Sequence, residues 1–326
     1  MSAIVFVIGV VLCFFGSKTA ETTGEQIFAM KSGDDRVYTY EFTKADKIKI
    51  DVTNADINVI CGKGRASYVE IVNFNENLSN YTANNAIITF KETVKVEDIA
   101  GLWESGVSFK GLRYILRPVP ADKQKTVNIY LAEGVEIKAF DIQLQKGIVS
   151  VEGVKTLTDY HVNIESGKVL FTDVTTESGI DIVTKGDIST DVKFTRVSCD
   201  FLTLNARRAK FFGESFTSNL CELAVSAGSA AFEYIPKNPE YTVEIDSKGK
   251  LEVDGVLYID KFSYPPKEEE PAPEEPEKPE DETEEEAPEP SALKILGEDF
   301  SVSLTTPAGI VPEEPADTTQ DTTAVQ

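Results

Sequence analysis

Between Lys138 and Val253 one short pattern recurs: apolar–x–apolar, a Gly-centred turn, then apolar–x–apolar. Ile142 and Leu144 lead through Gly147 to Val149 and Val151, and Val162 and Ile164 lead through Gly167 to Val169 and Phe171. Ile180 and Ile182 lead through Gly186 to Ile188, and Leu202 and Leu204 through Arg208 to Phe211. Leu223 and Val225 lead through Gly228 to Ala230 and Phe232, and Val243 and Ile245 through Gly249 to Leu251 and Val253. The units begin 18 to 22 residues apart, and alternation within each is the strand period. Glycine tolerates the positive φ of a tight β-arc or hairpin.

Upstream, alternation marks strands at residues 37–42, 48–52, 57–59, 68–71, 86–90 and 127–131, with an irregular insertion between Ala100 and Pro120 around Trp103, Gly106, Gly111 and Pro118. Residues 256–259 form another expected strand. Farther on, Leu293–Leu304 restores the unit around Gly297. A unit of about 20 residues cannot bury a face alone, whereas stacked units share a continuous core. The expected fold is all-β, a β-solenoid or β-roll, with a β-sandwich as the alternative.

The expected organisation is an apolar signal-anchor or signal peptide (1–17), a polar tether (18–36), the β-repeat domain (37–264) and a disordered acidic loop (265–291). A terminal strand pair (292–305) that docks back on the repeat domain and a disordered tail (306–326) complete it. The apolar run Ala3–Gly16 contains Ile4, Val5, Phe6, Val7, Ile8, Val10, Val11, Leu12, Phe14 and Phe15. Its fourteen residues are fewer than the roughly 17–25 that usually span a bilayer. A signal peptide would carry Lys or Arg before the run and an A-x-A site after it, and neither is present. A lipoprotein signal would place a small residue before Cys13, where Val10-Val11-Leu12 stands. A short signal-anchor is the preferred reading, with cleavage and secretion, or a buried strand, as alternatives. Either membrane reading places the β-repeat domain outside the cytoplasmic membrane, on a single N-terminal anchor.

The net charge of −23 excludes a nucleic-acid partner, because nothing basic would displace phosphate counterions. Lys267–Pro290 alone holds 13 acidic residues against two lysines, interleaved with proline. Such a segment buries too little to offset its ordering entropy, and serves as a repulsive spacer reaching on the order of 70 Å in an extended conformation.

Chemistry is sparse. The single histidine, His161, starts a strand beside Tyr160, and no HExxH, GxSxG or P-loop pattern occurs. Asp181, Asp187 and Asp191 could line one face as a polysaccharide-cleaving site, but that chemistry needs two carboxylates at a defined separation, and strand and turn acids on a solvated face are the preferred reading. Gly33-Asp34-Asp35 and Asn54-Ala55-Asp56 offer calcium oxygens, yet Asn and Asp serve tight turns without metal. Arg207, Arg208 and Lys210 form the densest basic cluster, either a solvated turn or an attractor for the acidic segment. Cys61, Cys199 and Cys221 lie in no CxxC motif; a Cys199–Cys221 bridge one repeat apart is conceivable, and buried free thiols are the expected state. No catalytic, cofactor or metal residue is assigned, and the expected structural residues are the turn glycines Gly147, Gly167, Gly186, Gly228, Gly249 and Gly297.

Ile48-Lys-Ile-Asp-Val-Thr-Asn-Ala-Asp-Ile-Asn-Val59 resembles the opening strand of the bacterial putative-adhesin family of β-strand-repeat envelope proteins. Val127-Asn-Ile-Tyr-Leu131 is similar to a second recurrent element, which there ends in Pro where this chain has Ala132. The resemblance covers about Val37–Ile259 and Leu293–Leu304, and the acidic insert departs from it. It implies an envelope location and a β-repeat fold, and carries over no catalytic residues. The expected function is a non-enzymatic, membrane-tethered scaffold or binding module of adhesin type, engaging an envelope or surface ligand. The alternatives are an accessory to a membrane stress sensor and a polysaccharide-active enzyme.

Overall fold

A computed structural model of the chain describes residues 36–62, 66–84, 86–93, 123–155, 158–259, 261–266 and 290–306. The expected anchor, polar tether, acidic segment and tail lie outside the described residues, as does most of the irregular insertion. In chain order the strands are β1 (Val37–Glu41), β2 (Lys47–Gly62), β3 (Tyr68–Val72), β4 (Ser79–Asn84), β5 (Ile87–Glu92), β6 (Thr126–Ala132), β7 (Ala139–Glu152) and β8 (Asp159–Thr172). There follow β9 (Gly179–Thr184), β10 (Thr190–Pro236), β11 (Tyr241–Ser247), β12 (Leu251–Val253), β13 (Val256–Tyr258), β14 (Lys261–Tyr264), β15 (Ser291–Gly297) and β16 (Asp299–Thr305). They form one mixed sheet, so the chain is all-β.

Its interior pairings are parallel, and from β7 to β10 they advance by one repeat at a time. β2 pairs β7 from Lys47↔Ala139 to Ile60↔Glu152, and β7 pairs β8 from Ala139↔Asp159 to Glu152↔Thr172. The next layer combines β9, at Tyr160↔Ile180, with the start of β10, at Lys168↔Asp191. β10 then meets β9 at Phe201↔Gly179. Farther along, Gly228 lies against the Ala209 carbonyl, so this long strand winds through successive layers.

The burial pattern shows how one layer turns. From β7 into the segment after it the inward residues are Phe140, Ile142 and Leu144, then Val149 and Val151, then Val154; from β8 onward they are Tyr160, Val162 and Ile164, then Val169 and Phe171, then Val174. Within a run the step is two. Between runs it is odd, which in a straight strand would send the next side chain to the opposite face. The backbone bends instead, and each of these two layers presents three inward runs. The third side is narrow: Thr175 bridges Lys155 and Ser198, and the Thr175 amide donates to the Val154 carbonyl at 2.9 Å. Aromatic rings stack up the core from Phe140 to Tyr160, Phe171, Phe194, Phe211 and Phe232, with centroids 5.2 to 5.4 Å apart, close to the roughly 4.8 Å strand spacing.

The first bend is built on close backbone approach. A Cβ at Gly167, whose φ is +140, would sit 1.9 Å from the Gly147 carbonyl oxygen. The residue in register with Gly228 is Ala209, not Arg208, which points outward at the same bend. Ile188 also departs from expectation. The β8-to-β10 offset (Lys168↔Asp191) exceeds the β8-to-β9 offset (Tyr160↔Ile180) by three residues. The bend at 185–189 accommodates them, leaving Ile188 67% exposed. The inward run resumes at Val192 and Phe194.

Both ends of the parallel stack finish in antiparallel strands. β5 and β6 lie outside β2, at Lys47↔Ile87 and Asp56↔Thr126, followed by antiparallel β4, β3 and β1. At the other end β14 pairs β11 and β13 pairs β12, both antiparallel. The strand pair at the C-terminal side of the sequence, β15–β16, lies between β10 and β11–β12, an interior layer rather than the end of the stack. Cys61, Cys199 and Cys221 are free thiols.

Candidate functional site

Parallel registry turns isolated outward residues into columns along the stack. Asp51, Gln143, Asn163, Val183 and Asn205 are successive register partners. The 19-residue step that sets Ala209 beside Gly228 carries the column to Ala224, and pairing extends it to Leu296 and Asp246. Beside it runs a second column of Asp141, His161, Asp181 and Thr203.

Two hollows follow the first column where it reaches the first bend. The smaller, about 120 Å³, is lined by Asp51, Thr53, Gln143, Gln145, Asn163 and Glu165. The larger is an open cavity of about 580 Å³ lined by Thr184, Asn205, Arg207, Ser226, Asp246 and Glu298, among others. Together they trace a shallow groove that changes residue about every 4.8 Å. Thr53 and Thr184 contribute buried hydroxyls without a hydrogen-bond partner among the described residues. Amides, hydroxyls and carboxylates line the smaller hollow, while the larger is also lined by Ala206, Ala224, Val225 and Leu296, so the groove offers hydrogen bonds beside apolar contacts to a polar chain.

The groove's amino-terminal end is closed by a buried ion pair. Lys125 Nζ lies 2.6 Å from Glu92 Oε1, both side chains being 6% exposed, and the Thr53 amide donates to Glu92 Oε2 at 2.7 Å. Lys125 also sits over the Phe74 ring at 5.4 Å. These contacts join the end of β5 to the start of β6.

The residues singled out by sequence do not converge. His161 Nδ1 is 3.7 Å from Asp181 Oδ2 on an open face, and Thr203 donates to Asp181 at 3.0 Å. Asp187 pairs with Arg207 at the enlarged bend, while Asp191 stands opposite Lys168 on another side. The three aspartates therefore form no common site. Arg207 and Arg208 both engage Asp187, whose backbone oxygen accepts from Arg208 at 3.5 Å; the acidic segment lies outside the described residues. Asp56 Oδ1 accepts from the Ile148 amide at 3.1 Å, bracing the bend, and burial pushes its carboxyl above the usual range. Gly33–Asp35 is outside the described residues, among which no His/Cys/Asp/Glu group is arranged for a metal. Burial raises the Cys199 thiol to about 12 and Cys221 well above its ordinary value. Among the described residues no helix is long and apolar enough to cross a membrane.

A second bend escaped the sequence reading. Gly153, Asp173, Arg196, Ser215 and Asp254 all have left-handed φ, from 50 to 70°, and four of them are not glycine. Asp173 and Arg196 stabilise theirs by a two-pronged ion pair, at 2.6 and 2.7 Å, across adjacent layers. The guanidinium holds the exposed Asp173 carboxyl below its usual range.

These features define an all-β chain of stacked strand layers with polar columns on its exterior. No protein-family model matches the chain, and no curated protein matches it. Among solved structures it is similar to a putative adhesin from Bacteroides fragilis, at 10% identity over 83% of this chain and 96% of that one, with a TM-score of 0.44. A putative cell adhesion protein from Clostridium sporogenes is similar at 9% identity over 84% of this chain and 100% of that one, TM-score 0.30. A putative lipid binding protein from Parabacteroides distasonis is similar at 12% identity over 84% and 94%, TM-score 0.29.

Proposed function

We propose that the chain is a non-enzymatic, adhesin-like binding scaffold whose layers wind as a β-solenoid. The 3–16 segment tethers it to a membrane, with the β-repeat domain on the outer side. The parallel register, repeating every 19 to 23 residues along β7 to β10, supports the solenoid reading. The observation that carries the functional reading is the groove in which Gln143 and Asn163 stand in adjacent layers and Asn205 follows two layers on, past Val183. A surface polymer lying along the stack meets side-chain amides at Gln143, Asn163 and Asn205, with Val183 between the last two, so weak contacts add at those steps.

The test uses the full chain, immobilised and exposed to envelope and wall extracts, with bound material identified by mass spectrometry and sugar analysis. A variant combining Gln143→Ala, Asn163→Ala and Asn205→Ala removes three hydrogen-bonding groups worth about 0.5–1.5 kcal/mol each. Retention of a polymer by the parent and at least tenfold weaker retention by the variant is the expected result. Equal retention by both removes the groove from the reading, and shortened glycan in the eluate replaces binding with cleavage.

A further inference from the structure

β15–β16 occupies a complete layer with a parallel neighbour on each side. β15 pairs β10 from Leu220↔Ala292 to Ala224↔Leu296 and β11 from Tyr241↔Ser291 to Ser247↔Gly297, while β16 pairs β10 and β12. Leu293, Ile295, Phe300, Val302 and Leu304 are buried there. The flanking strands β10 and β11 are joined directly by residues 237–240, and removing the pair leaves a slot one layer wide between them.

The tether to this pair is far longer than the slot requires. Tyr264 and Leu293 pair with Val243 from opposite sides, so the chain leaves and rejoins the sheet about 10 Å apart, two strand spacings. Four residues cover that distance, at about 3.3 Å each. The chain instead uses residues 265–290, which reach at most roughly 85 Å. Beside the start of β15 an open cavity of about 580 Å³ is lined by Asn219, Leu220, Lys237, Asn238, Pro239 and Pro290.

We propose that β15–β16 is an exchangeable strand pair that fills either its own slot or that of a second copy of this chain. Because the slot and the donated pair belong to the same chain, two copies exchange reciprocally through identical contacts, as a two-fold interface requires. A tether of this length presents the pair to its own slot at an effective concentration on the order of millimolar. Dilute chains close on themselves, and chains crowded towards that concentration interlock. The inference is independent of what the groove binds.

Glu244 and Lys294 are register partners across β11 and β15, and both are exposed. Full-length chains carrying Glu244→Cys are mixed with chains carrying Lys294→Cys, treated with a short bismaleimide, and the linked peptides identified by mass. The double variant in one chain must give the link within that chain, which verifies the register. Mixtures refolded together at millimolar concentration are expected to give the 244–294 link between chains, at least tenfold more than mixtures kept dilute. Deletion of residues 265–290 joins Tyr264 directly to Ser291 by one peptide step of 3.8 Å, short of the two strand spacings, about 10 Å, between their places in the sheet; such a chain cannot close on itself and is expected to be dimeric or larger. Absence of the interchain link at millimolar concentration, or a folded monomeric deletion variant, overturns the proposal.

Discussion

Replacing Gly167 with alanine tests whether the first bend depends on backbone approach between layers. The new Cβ would lie 1.9 Å from the Gly147 carbonyl oxygen, against an ordinary heavy-atom contact of roughly 3.5 Å. The obstructing atom is backbone, so no rotamer relieves it and the layers must part by more than an ångström. The left-handed φ adds roughly 1–2 kcal/mol, and each ladder hydrogen bond lost adds about 1 kcal/mol. The sum is roughly 3–5 kcal/mol, a large share of the 5–15 kcal/mol that holds a typical domain together. At about 2–4 °C per kcal/mol for a domain of this size, melting falls by roughly 6–20 °C in a circular-dichroism scan. Two controls separate the causes. Gly134 has φ +82 and nothing within 4 Å of its would-be Cβ, whereas Gly186 meets the Glu165 carbonyl oxygen at 1.9 Å without a left-handed φ. The expected order of loss is Gly167→Ala, then Gly186→Ala, then Gly134→Ala. A Gly134→Ala loss as large as that at Gly167 would refute the role given to layer approach.

Three other outcomes follow from the same geometry. Lys125→Met strands the buried Glu92 carboxylate and is expected to cost about 3–5 kcal/mol in denaturant unfolding. Adding Glu92→Gln, which still accepts from Thr53, should recover most of it, and additive losses would contradict the pairing. Because burial raises the folded pKa of Asp56 above its unfolded value, its favourable contribution is present below about pH 4 and is lost as pH rises through the folded value. Asp56→Asn should therefore gain on the parent in melting temperature as pH rises above about 4; parallel curves would count against this. Ser215, at φ 53, should tolerate glycine with little change, while Ser215→Val costs about 1–3 kcal/mol, and equal melting of the two variants would show that the bend is not strained.

Much of the architecture was legible because strand alternation and bend glycines leave direct marks on the sequence. β7 and β8 read cleanly for that reason. β4 did not, because Ser79–Asn84 is polar and mostly exposed, with no inward run to reveal it. The second bend was hidden because Asp173, Arg196 and Ser215 accept left-handed φ through local contacts that no single-residue preference signals. Ile188 misled because an apolar residue in phase with its neighbours looks inward until three extra residues widen the bend. The interior place of β15–β16 was out of reach for a different reason: every layer carries nearly the same pattern, so alternation specifies a layer without specifying its order in the stack. The groove was missed similarly, since Gln143, Asn163 and Asn205 fall into one column only through registry.

The layered order itself is best tested by paired spin labels on the outward column. Counting layers from Gln143 through Asn163, Val183, Asn205 and Ala224 puts Leu296 five steps away and Asp246 six. At about 4.8 Å per step, the backbone separations are about 24 Å to residue 296 and about 29 Å to residue 246. The expected result is that residue 296 lies nearer to 143 than residue 246 does, although it is farther along the chain. A shorter distance to residue 246, or both distances well under 20 Å, would contradict the stacked arrangement and the groove that depends on it.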